Sequence, residues 1–156
     1  MIIGLCLAFF IIIIDQLVKY WTLTQLDLYE SLPGIPGIFD FFYIQNKGAS
    51  WGILSGRMAL FYLVTLVVVV YLLYLMYKTP NFQTLSHIAY GLLIGGALGN
   101  FIDRLLHGYV VDMFRLLFIS FPIFNVADMS LTVGVVILVV LVFVNYEERN
   151  QLKHGK

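Results

Sequence analysis

Four apolar segments, each long enough to cross a bilayer, limit what this chain can fold into. They run from about residue 2 to 20, 58 to 77, 86 to 102 and 125 to 146. About 20 apolar residues cover ~30 Å of hydrocarbon as a helix. Lipid offers the backbone no hydrogen-bond partner, so each span is expected to be helical. The chain is 61% hydrophobic and only 12% charged, about half the charge of a soluble domain. The reading is an integral membrane protein, mainly α, with 156 residues forming one domain. The first apolar segment lacks a basic leader and reads as an uncleaved first helix. Net charge is zero, which argues against a nucleic-acid partner. The single cysteine, Cys6, excludes an internal disulfide and reads as a packing residue.

The links between spans are unequal. Residues 78 to 85 form a short polar link. Residues 22 to 57 form a long one, with Pro33-Gly34-Ile35-Pro36-Gly37 followed by the strand-like Phe39 to Ile44. Its end, Gly52 to Gly56, is expected to lead into the second span. The link 103 to 123 carries further strand-like runs, Tyr109 to Val111 and Phe114 to Phe121. With four spans the two longer links share one side, so a small sheet is expected there.

Parity also gathers the polar residues. Asp15, Lys19, Asn46, Asn100, Asp103, Arg104, Asp112, Asn125 and Asp128 all fall at or near that same side. A charge near hydrocarbon costs about 2.5–3.5 kcal/mol, so such a concentration points to a site. Asp112 and Asp128 stand out, because two close carboxylates sharing a proton can activate water. Asp15 and Lys19 are one helical turn apart and can pair. Gly91, Gly95 and Gly99 recur every four residues, a pattern that lets helices approach closely. That would hold Asn100, Asp103 and Arg104, which share a helix face. The three histidines and Cys6 show no metal-ligand spacing, so neither a metal nor a cofactor is expected. A serine–lysine pair, Ser50 or Ser55 with Lys47 or Lys19, is the weaker nucleophilic alternative.

Orientation follows from basic residues. The site-free side carries Lys78, Arg149, Lys153 and Lys156. The site side carries Lys19, Lys47, Arg57, Arg104 and Arg115, a raw count that opposes placing the site outside. With Lys19, Arg104 and Arg115 set aside as site or snorkelling residues, the balance favours the site-free side as cytoplasmic.

Five runs occur in order: Asp15-Gln16-Leu17-Val18-Lys19, Asn46 to Gly52, Gly95 to Arg104, Gly108 to Asp112, and Phe124 to Asp128. On these runs the chain resembles the bacterial lipoprotein signal peptidases, or signal peptidase II. Met113, Met129, Lys47 and Ser50 depart from the residues commoner in that family, and every polar site position is kept. The resemblance implies four membrane helices, both termini cytoplasmic, and an extracytoplasmic β-sheet cradle in the cell membrane. It implies an aspartyl endopeptidase that cuts diacylglyceryl-modified prolipoproteins just before the lipidated cysteine. Asp112 and Asp128 would be catalytic. Asp15, Lys19, Asn46, Gly48, Trp51, Asn100, Asp103, Arg104, Asn125 and Ala127 would bind or orient substrate. Signal peptides and membrane lipid are the expected partners, and a monomer is expected to suffice. The alternatives are a small proton-linked transporter or channel subunit, or a non-catalytic scaffold. A relay should continue across the bilayer, whereas the acidic residues within the spans stop at one side.

Overall fold

The computed structural model describes residues 1–48 and 58–154. Helix α1 spans Ile2–Gln25, and strands β1 Ser31–Ile35 and β2 Phe39–Asn46 follow. Helices α2 Met58–Lys78 and α3 Thr84–His107 come next, then β3 Val110–Leu116 and α4 Val126–His154. All four helices are long and apolar enough to cross a membrane. Helices α1 and α3 each run about a turn beyond the hydropathy limit. Gly108 stops α3 in the left-handed conformation (φ 75°), which glycine adopts without penalty.

Helix α3 is the centre of the bundle. Half of its apolar stretch is buried, against 11% of α2's. The glycine repeat explains how its neighbours come so close. A Cβ on Gly95 would lie 2.9 Å from the Ala8 carbonyl of α1, and one on Gly99 2.6 Å from Asp15 Oδ2. Gly91 meets the backbone of Gly4 on α1. Gly96 faces α4, where a Cβ would lie 2.5 Å from the Ala127 carbonyl. The small residues therefore pin α3 to α1 on one side and to α4 on another. Helix α2 packs chiefly on α3. Cys6 differs from expectation: it is exposed on α1, turned outward rather than packed.

The three strands form one antiparallel sheet in the order β1-β2-β3. Strand β1 runs through the Pro33-Gly34 pair, outside the strand-like run Phe39 to Ile44 expected from the sequence. As an edge strand it tolerates proline, and its register shifts between Pro33 and Ile35. Strand β3 is one short strand where two strand-like runs were expected, and residues 117–121 lie outside it. Side chains alternate across it. Val111 and Met113 join Leu26 and Tyr43 in a buried cluster, which sends Asp112 to the other face.

Gly99→Leu should lower thermal stability in detergent by about 3 kcal/mol, within the usual range for overpacking, and lower any activity with it. The two should fall together, because the same atoms that meet Gly99 also build the site. Full stability in the leucine variant would mean that this contact is not tight.

Candidate active site

Asp112 arrives on β3 and Asp128 on the first turn of α4. One residue, Asn125, ties them together. It precedes α4 and caps it: its Oδ1 accepts from the Asp128 N–H at 2.9 Å, while its own N–H donates to Asp128 Oδ2 at 3.3 Å. This reciprocal pair is a capping box with asparagine and aspartate in the usual positions of serine and glutamate. The Asn125 amide then donates through Nδ2 to Asp112 Oδ1 at 2.6 Å. Asn46 Nδ2 on β2 holds the other Asp112 oxygen at 2.9 Å, and Asn100 Nδ2 on α3 holds Asp128 Oδ1 at 2.8 Å. Three asparagines thus aim two carboxylates.

A second layer supports the first. Lys19 is 2% exposed and lies between two carboxylates, 2.8 Å from Asp15 Oδ2 and 3.1 Å from Asp103 Oδ2. It also donates to Asn100 Oδ1 at 3.0 Å. Each of these acids holds a backbone amide. Asp103 Oδ2 accepts from Val111 N–H at 2.9 Å, one residue before Asp112. Asp15 Oδ1 accepts from Ala127 N–H at 2.9 Å, one residue before Asp128. The ammonium joins both supports. Asp15, Lys19 and Asp103 are buried behind the groove and do not line it.

Gln16, which the sequence alone does not mark as a site residue, belongs to the same layer. Its Nε2 donates to Asp103 Oδ1 at 2.9 Å and to the Gly99 carbonyl at 3.2 Å. Its position one turn before Lys19 is the signal that could have found it. Arg104 donates to the carbonyls of Asn100 and Gly48, both at 3.3 Å, and stacks over Phe61 with 4.5 Å to the ring centroid. It shares the carboxylates' groove and forms no hydrogen bond to either. Gly48 also donates its N–H to Asn46 Oδ1 at 3.1 Å. Ala127 acts through its N–H, and its small side chain sits fully buried against Gly99. Of the departures from the family pattern, Met113 is buried in the sheet's cluster and Met129 lines the groove. Trp51, Ser50, Ser55 and residues 52–56 lie outside the described residues. Among the described residues no three His, Cys, Asp or Glu side chains gather as they would around a metal.

The carboxylates line a groove of about 1390 Å³. Its floor on α3 includes Ala97 and Asn100. Val64 and Val68 of α2 and Leu131 and Val133 of α4 line its membrane end, and Ile44 and Leu116 of the sheet line the other. The two aspartates differ in surroundings. Asp112 is fully buried, whereas Asp128 is half-buried. Burial first, and the neighbouring Asp128 charge second, push the Asp112 carboxyl up to about 7, while the hydrogen bonds from Asn46 and Asn125 oppose that rise.

The arrangement is a pair of carboxylates, fixed by amides, at one end of a four-helix membrane bundle. The signal peptidase II family model matches residues 7–144, and the chain belongs to that family. The chain is 42% identical over 151 residues to the lipoprotein signal peptidase of Anoxybacillus flavithermus, covering 96% of this chain and 90% of the relative. It is 43% identical over 136 residues to that of Latilactobacillus sakei, covering 87% and 90%. A bacterial membrane enzyme solved in meso at 2.3 Å resolution is similar with a TM-score of 0.89 and 37% identity, covering 93% of this chain and 90% of that one.

The Asp112 shift has a consequence for stability. An unfolded aspartate loses its proton near pH 3.8 and the folded one near 7, so the carboxyl destabilises the fold progressively as pH rises between those values. The slope is about 1.4 kcal/mol per pH unit for one group. Asp112→Asn removes that titration. Thermal melts of variant and parent should therefore diverge in the variant's favour from pH 4 to 7 and run parallel above it. A constant offset across that range would contradict the burial effect.

Proposed function

We propose that this chain removes signal peptides from diacylglyceryl-modified prolipoproteins, cutting just before the lipidated cysteine, with Asp112 and Asp128 as its catalytic pair. Membership of the signal peptidase II family supports the substrate class. The single observation that carries the site assignment is the shared Asn125, which bonds to both carboxylates at once.

The mechanism is a water-mediated aspartyl hydrolysis. The pair holds one proton, because two like charges so close resist joint ionisation. Asp112 is its natural seat, given the burial that pushes its carboxyl up to about 7. Asp128 takes a proton from water as the water oxygen bonds to the scissile carbonyl carbon. Asp112 gives its proton to the carbonyl oxygen. In the next step the carbon–nitrogen bond breaks and a proton passes to the leaving amine. Asn46, Asn100 and Asn125 fix the carboxylates. Arg104 and the Gly48 segment stand beside them on the groove, where they face the substrate backbone. Trp51 is proposed to lie near the bound peptide.

The groove fits the substrate's two characters. Its membrane end is apolar and suits a signal-peptide helix and acyl chains; the polar pair stands where the sheet begins. We place both termini in the cytoplasm and the sheet outside. An inserted signal peptide keeps its basic end inside and presents its cleavage site at the outer surface. One chain carries both aspartates, so a monomer suffices. The proton-relay alternative is not favoured: the acidic cluster is confined to one end of the bundle, and Asp15 and Asp103 are paired with Lys19.

Asp112→Asn and Asp128→Asn should each reduce cleavage of a diacylglyceryl-cysteine peptide about a thousandfold in protein that still folds. Near-normal turnover by either folded variant would remove the assignment. With the parent enzyme, kcat should fall as pH rises through about 7, when Asp112 loses the shared proton. A rate that keeps rising past pH 8 would mean that no such proton is needed.

A further inference from the structure

Tyr29 is the single non-glycine residue with positive φ among the described residues, at 69°. That region crowds the Cβ of any L residue against its own carbonyl and is an outlier for an aromatic one. Such strain survives only where the surroundings enforce it, and it clusters at ligand-contacting positions. Here the enforcement is visible. The Tyr29 N–H donates to the Tyr43 carbonyl at 2.9 Å, and Tyr43 N–H donates to the Glu30 carbonyl at 3.1 Å. Glu30 N–H donates to the Asp27 carbonyl at 2.9 Å, while Glu30 Oε2 accepts from Asp27 N–H at 2.8 Å.

The fold gains no packing in return. Tyr29 is 69% exposed and the preceding Leu28 is 41% exposed. Both, however, line the groove that holds Asp112 and Asp128. They come from the loop between α1 and β1, at the sheet end. The spans line the opposite end, and Asp112 sits on β3 opposite Ile44, the neighbour of the Tyr43 whose carbonyl holds the Tyr29 N–H. A peptide that rises from the membrane and passes the carboxylates reaches Tyr29 only after its scissile bond.

We infer that Tyr29, with Leu28, forms a subsite for the residues that follow the lipidated cysteine. The inference rests on the function proposed above. The tyrosine ring packs against that short extended segment and holds the leaving half of the substrate in line. The strained backbone is what turns an otherwise unsupported ring into the groove.

Two peptides test this, both carrying the signal segment and the diacylglyceryl-cysteine. One ends as an amide at the cysteine and the other continues for four residues. The parent enzyme should show a lower KM for the longer peptide. Tyr29→Gly should cancel that preference, changing the ratio of the two KM values about tenfold, the effect of one well-packed contact. Glycine accepts positive φ, so its melting temperature should equal or exceed the parent's. Tyr29→Phe should keep most of the preference. An unchanged KM ratio in Tyr29→Gly, or a fall in its melting temperature, would overturn the subsite and mark the ring as structural. If the parent cuts neither peptide, the proposed function itself fails, a result separate from the other two.

Discussion

The buried ammonium of Lys19 is the contact on which the site's shape depends. It holds Asp15 of its own helix and Asp103 of α3, and each of those carboxylates grips a backbone amide next to one of the groove's two aspartates. Remove the cation and two buried negative charges would stand uncompensated, a loss of about 3–5 kcal/mol for a broken buried pair. The arrangement is costly in desolvation and is fully hydrogen-bonded, as a buried polar network must be to persist. What it provides is geometry. Strand β3 and helix α4 are joined by a loop, and the ion triad fixes where both meet α1 and α3.

The glycines make that triad possible. A carboxylate on α1 reaches over α3 to the start of α4 only if the helices nearly touch. Gly99 leaves room for Asp15, and Gly96 leaves room for the Ala127 carbonyl. Packing and chemistry are therefore one problem here. The helix that is richest in small residues is also the one that carries Asn100, Asp103 and Arg104.

Much of this was legible in the sequence because lipid punishes misplaced polarity. Span parity alone brought Asp15, Lys19, Asn100, Asp103, Asp112, Asn125 and Asp128 to one end, and the hydrogen bonds join them there. The pairing of Asp15 with Lys19 followed from helical spacing; the second partner, Asp103, did not, because nothing local links residues so far apart in the chain. Asn-x-x-Asp before an apolar run carried the capping box, a signal that could have been read. Strand β1 was hidden by Pro33 and Gly34, which mark turns as readily as edge strands. The last turns of α1 and α3 were missed because Thr24, Gln25 and His107 continue a helix without adding hydropathy. Cys6 was misplaced because a uniformly apolar helix does not reveal which face meets lipid.

The most direct test of the account is the pH dependence of kcat in Lys19→Met, read on the folded fraction in detergent. The Lys19 charge opposes the rise of the Asp112 carboxyl, so its loss should move the alkaline limb to higher pH. The backbone supports should slacken at the same time, and kcat should fall about a hundredfold or more. A folded variant with the parent's kcat and the parent's alkaline limb would contradict the claim that this ion triad sets the Asp112–Asp128 pair.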